Sequence, residues 1–153
     1  MLMKDFKKQF VTHTATATCV LGVTVCGPLL AQDSNACPVD GCAIEIASAT
    51  QTDGELSLEI NANFDPDISK NHFHIWWGEL YDVKQVSNNA ETVHNVAQGD
   101  WHPTDAYPSY TTTGVTSLSQ RGDASSLCIS AADRNHDIID PGALHCVDVS
   151  AHF

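Results

Sequence analysis

Permanent positive charge is scarce in this 153-residue chain. Seven Lys and Arg stand against 19 Asp and Glu, for a formal net charge of −12. Three of the seven, Lys4, Lys7 and Lys8, sit at the very start, so the remainder offers only Lys70, Lys84, Arg121 and Arg134. Nucleic acid and anionic lipid surfaces are recognised by basic patches, and this chain has none to present. Neither is expected as a partner. Methionine is scarcer still, with Met1 and Met3 the only two. An electron-transfer copper centre with an axial methionine is therefore not expected.

Catalytic signatures are missing as well. The sequence contains no Gly-x-Ser-x-Gly elbow, no His-Glu-x-x-His, no phosphate loop and no dinucleotide fingerprint. Glu79 and Asp82 near Trp77 form a conceivable carboxylate pair, but nothing in their spacing fixes a separation suited to glycoside chemistry. Enzyme status stays open, with the balance against.

What the chain does have begins with a targeting pattern. Lys4, Lys7 and Lys8 precede a weakly polar and then apolar run from Ala15 to Leu30, which reads as an export signal cleaved after Ala31. A retained anchor is the rival, but the run falls short of the ~20 apolar residues of a spanning helix and contains Gly22, Gly27 and Pro28. Cys26 raises a lipid-modified alternative, opposed by the bulky Val25 before it. The expected organisation is a signal over residues 1–31, an N-terminal cysteine-containing segment over 32–42 and a β-sandwich domain over 43–153. Such a chain is secreted, to the extracellular space or the periplasm, with no membrane insertion after cleavage. Loss of Lys4, Lys7, Lys8 and Asp5, a net +2, takes the formal charge from −12 to −14.

Four cysteines then remain, Cys37, Cys42, Cys128 and Cys146. An even number in an exported chain points to two disulfides, and the expected pairing is Cys37–Cys42 and Cys128–Cys146. A four-cysteine metal site is the alternative, opposed by the lack of any Cys-x-x-Cys pair.

Short alternating runs separated by Asn, Asp, Gly and Pro make the class all-β. Ala43–Ser48 and Leu56–Phe64 read as a first pair of strands around Thr52-Asp53-Gly54, with Leu56, Leu58, Ile60, Ala62 and Phe64 on one face. In His72–Trp77, Phe73, Ile75 and Trp77 are expected to enter the core, and His72, His74 and Trp76 to lie opposite. Leu80–Val86 and Glu91–Val96 read as a hairpin across Asn88-Asn89, Gly99–Tyr110 as a loop, and Thr111–Leu118 as an exposed strand. Ser126–Ala132 and Leu144–Ser150 flank a loop over Asp133–Gly142. The first turns Leu127, Ile129 and Ala131 inward, the second Val147, Val149 and Ala151. Cys128 and Cys146 then share the outer side if the two strands are neighbours. The expected architecture is a two-sheet antiparallel β-sandwich, with a small barrel as the alternative. The run Leu127-Cys128-Ile129-Ser130-Ala131-Ala132-Asp133-Arg134-Asn135 resembles the end of a fibronectin type III or other immunoglobulin-like domain, over the last third of the chain. The resemblance implies an immunoglobulin-like sandwich of the kind that binds or spaces other modules.

Seven histidines lie beyond the signal, and His72-x-His74 is the sharpest arrangement, because a strand's alternation brings both imidazoles to one face. Zinc or copper suits such ligands, with further donors drawn from His94, His102, His136, His145 or Asp100; the expected set is His72, His74, His102 and His136. The plainer expectation is two solvent-facing histidines that bind nothing. Asp133-x-Asn135-x-Asp137-x-x-Asp140 has the oxygen spacing of a calcium loop, but Ile138 stands at the sixth position, where glycine is needed, and no closing Glu follows. A polar turn held by Asx hydrogen bonds is the plainer alternative. Trp76, Trp101, Tyr107 and Tyr110 are the candidate aromatic platform for a glycan or apolar ligand. The leading expectation is thus a secreted, non-catalytic binding or adhesion module for an extracellular ligand or protein partner. Its alternatives are a zinc or copper protein using His72 and His74, and a calcium-stabilised structural module.

Overall fold

A computed structural model describes residues 41–153; the expected signal, Cys37 and hence the expected Cys37–Cys42 bridge lie outside the described residues. Among the described residues seven strands form two antiparallel sheets. In chain order they are β1 (Ile44–Thr52), β2 (Glu55–Ala62), β3 (His72–Trp77), β4 (His102–Thr104), β5 (Ser109–Thr111), β6 (Ser126–Ala132) and β7 (His145–Asp148). One sheet has the order β1-β2-β5 and the other β4-β3-β6-β7. The fold is an all-β sandwich. Among the described residues no helix is long and apolar enough to cross a membrane.

The first hairpin follows from its turn. Asp53 and Gly54 both take positive φ, 52° and 83°, the conformation a two-residue loop needs to match the twist of its strands. Thr52 then faces Glu55, and the register sends Leu56, Leu58 and Ile60 to one side, each at most 1% exposed. Opposite them Phe73, Ile75 and Trp77 of β3 and Leu127, Ile129 and Ala131 of β6 complete the layer between the sheets. At the end of the chain Val149 is buried and Val147 partly so, but Ala151 is exposed, because β7 ends at Asp148 and a 3-10 turn over Ser150–His152 follows. Cys128 and Cys146 are direct cross-strand partners, 4.0 Å apart at Cα, and form a disulfide.

Three expectations about the middle of the chain are corrected. Residues 80–96 do not form a hairpin. Asp82 Oδ1 accepts from Lys84 N, Gln85 Oε1 accepts from Asp82 N, and Asn89 O accepts from Val93 N at the start of a single π-helical turn, Ala90–His94. Polar side chains that bond locally to the backbone compete with a strand ladder, and here they win. The span 99–110 is not all loop, since it contains β4 and β5. Pro103 is tolerated in β4 because β4 is an edge strand. Thr111–Leu118 is not a strand beyond Thr111; two 3-10 turns, Gly114–Thr116 and Leu118–Gln120, take its place.

The consequence for the site is a second buried layer. All six residues of β3 are buried, so its outer face is covered too. Trp76, Val83, Val86, Cys128, Ala132 and Ile138 form a cluster there, with Tyr81 and Trp101 packed against it. The segment expected to pair as a hairpin instead lies over the β3–β6 surface.

Candidate metal centre

Register places the first two imidazoles. His72 pairs with Ala132, His74 with Ser130 and Trp76 with Cys128, so the outer face of β3 meets only small side chains from β6. That leaves room for two imidazoles. Both are fully buried, which corrects the picture of a solvent-facing pair. The third imidazole comes from the β6–β7 loop. Asp133 Oδ1 accepts from Asn135 N at 2.7 Å and from Asp137 N at 3.1 Å, and Asp133 O accepts from His136 N at 2.9 Å. These bonds wind the loop tightly enough to turn the His136 ring back over β3.

The three imidazoles converge. Nε2 of His72 lies 2.9 Å from Nδ1 of His136, and Nε2 of His74 lies 3.4 Å from that same atom. All three nitrogens fall within 4.8 Å of one another. Ligands placed 2.0–2.1 Å from a tetrahedral ion are roughly 3.3 Å apart, so the arrangement needs little adjustment to close on zinc or copper. The tautomer of His74 is also fixed. Its Nδ1 donates to the Val86 carbonyl at 2.7 Å, which leaves the lone pair on Nε2, facing the other rings. Donating the remote N–H to a carbonyl is the usual way a protein orients a metal-binding imidazole. The Trp101 indole stacks on His74, ring centroids 5.0 Å apart, and shields it from water.

Burial pushes the His74 imidazolium down to about 3, with the Val86 carbonyl opposing and His72 and His136 adding repulsion. Burial and then the neighbouring His136 bring His72 down to about 4, against the pull of Asp133, Asp105 and the Lys70 backbone. Both rings are neutral at physiological pH, the state a metal ligand requires.

His136 itself has φ of 63°, the left-handed region that a β-carbon disfavours. Its neighbours hold it there. Asn88 N donates to His136 O at 3.0 Å, and the Asn88 side-chain amide donates to Asn135 O at 2.7 Å. Ser87 Oγ accepts from Ile138 N. Strain held by surrounding bonds at a polar residue points to a functional position.

Other expected site residues go elsewhere. His102 pairs with Ile75 and shares its face, so the sheet separates it from His74; its ring packs on Tyr110 instead. His145 Nδ1 accepts from Ile46 N, and Asp100 Oδ2 accepts from the Tyr81 hydroxyl. His94 lies in the π-helical turn. Asp133, Asp137 and Asp140 do not join a common ligand group among the described residues, and Asp133 and Asp140 each accept from backbone N–H groups two residues on. Asx hydrogen bonds run through the loop. The four rings of the aromatic platform do not share a face. Trp76 is buried and donates to Tyr81 O, Tyr110 is buried and bonds Thr116, Tyr107 flanks Phe73, and only Trp101 borders the imidazoles. Sequence reasoning missed Val86, Ser87 and Asn88: Val86 acts through its carbonyl, which carries no side-chain signal, and Ser87 and Asn88 act through partners distant in sequence.

Comparison of the chain with protein-family models, curated proteins and solved structures gives no significant match.

Proposed function

We propose that this chain is an exported transition-metal protein that holds one zinc or copper ion through Nε2 of His72, Nε2 of His74 and Nδ1 of His136. The observation that carries the proposal is the convergence of three imidazole nitrogens within 4.8 Å in a buried layer. Bringing neutral imidazoles together out of water costs desolvation, and a bound cation offsets that cost through all three lone pairs. Imidazole donors without thiolate or thioether suit Zn(II) or Cu(II). The Cys128–Cys146 bridge fits an oxidising compartment, in keeping with the basic-then-apolar start of the sequence. A secreted non-catalytic binding module, the leading expectation from sequence, gains less support, since its four aromatic residues are scattered over different faces.

The test is elemental analysis of untagged protein purified from an oxidising compartment, beside a His72→Ala/His74→Ala variant. One zinc or copper per chain, absent from the variant, is the expected result. A metal-free wild type that also fails to take up added zinc and copper would sink the proposal.

A further inference from the structure

Resting on that centre, we propose that the metal ion keeps one coordination position directed into the adjoining cleft, where it takes a small exogenous nitrogen or oxygen donor, water or hydroxide in the resting protein. Among the described residues the ligand group stops at three. Structural zinc sites are closed by four protein ligands, whereas three protein ligands and an open position are the pattern of sites that perform chemistry. The nearby carboxylates are not in the group. Asp133 is committed to two backbone N–H groups, and Asp137 Oδ1, though buried without a hydrogen-bond partner, lies outside the cluster.

The geometry of access agrees. A cleft of about 380 Å³ is lined by Asn88, Gln98, Asp100, Trp101, Pro103 and His136. His136 is the half-buried member of the three imidazoles, and Trp101 belongs both to the cleft wall and to the stack on His74. The cleft therefore opens against the centre from the solvent side. Its wall is built in place. A β-carbon on Gly99 would come within 2.3 Å of the Tyr81 ring, Gly99 N donates to Gln85 O, and the Tyr81 hydroxyl donates to Asp100. Three neutral ligands also leave the ion's full positive charge to act on the fourth, which favours an ionisable donor such as water.

The test is an azide titration of the full chain loaded with one equivalent of Cu(II), followed by visible absorption and electron paramagnetic resonance. A saturable azide-to-copper charge-transfer band with one azide per copper is expected. In Trp101→Ala, or Trp101→Phe if the alanine variant does not fold, copper stoichiometry should stay at one while azide affinity changes severalfold. Stoichiometric copper with no azide response overturns the open position but leaves the three-imidazole centre standing. A response seen only in Asp137→Asn overturns it too, by showing that carboxylate to be a fourth ligand. Azide affinity unaltered in the Trp101 variant removes the cleft from the proposal. Failure of the wild type to hold copper at all sinks the centre itself.

Discussion

The two faces of β3 are equally buried and built on opposite terms. Towards the other sheet, Phe73, Ile75 and Trp77 meet Leu56, Leu58 and Ile60 in a layer that is almost wholly apolar. On the outer side, His72, His74 and Trp76 lie beside Ser130, Ala132 and Cys128 under a covering of irregular chain. Each face also holds a polar atom without a partner, Ser130 Oγ on the outer side and Trp77 Nε1 on the inner. An unpaired buried polar atom costs roughly 1–3 kcal/mol. The inner face serves packing; on the outer face the desolvation of three converging imidazoles is a cost that packing alone does not explain and that a cation on their facing nitrogens would offset.

Truncating each face in turn breaks the comparison most sharply. Phe73→Ala should lower unfolding free energy by roughly 3–5 kcal/mol, to the same extent with and without metal, because its cavity opens on the side away from the centre. Denaturant titration under both conditions checks this, and a loss that depends on metal would show the faces to be coupled. Zinc or copper at about 1,000 times its dissociation constant should raise wild-type stability by about 4 kcal/mol and leave His72→Ala/His74→Ala unmoved. An equal rise in the variant would place the ion elsewhere.

Acid should act on the outer layer first. In the folded, metal-free protein His72 titrates near 4 and His74 near 3, while in the unfolded chain both titrate near 6.5. Between those values the unfolded state binds more protons, so stability is fully present above about pH 6.5 and is lost as pH falls towards 4 and below, by a few kcal/mol in all. His74→Leu should flatten part of that slope. A stability profile level from pH 7 to 4 in the metal-free wild type would contradict the burial of neutral rings.

The inner layer was legible in the sequence because it rests on period-two alternation and on Asp53-Gly54, both local signals. His72 and His74 were legible as a pair for the same reason. Their burial was not, since it depends on residues 80–101 folding over β3, and that segment has a strand-like apolar content overridden by the Asp82 and Gln85 side chains bonding to nearby backbone. His136 stood among several candidate ligands, but choosing it over His102 required the β3–β4 register, which no short-range pattern encodes.

The smallest expected effect is the most specific to the centre. His136 occupies a left-handed conformation that glycine adopts freely, so His136→Gly removes both a ligand and a backbone penalty. The bonds from Asn88 go to the carbonyls of Asn135 and His136 and survive the change. Without metal, relief of the backbone by about 1 kcal/mol is offset by loss of the contact to His72 Nε2, so the variant should stay within about 1 kcal/mol of the wild type. With metal, it should lose the stabilisation and the tight binding that three ligands provide. A residue retained only for packing would show the reverse, a loss in the metal-free protein and no change in metal affinity. Calorimetry of both proteins, with and without zinc, separates the two: a strained histidine that costs folding energy and repays it only when an ion is bound is present for the ion.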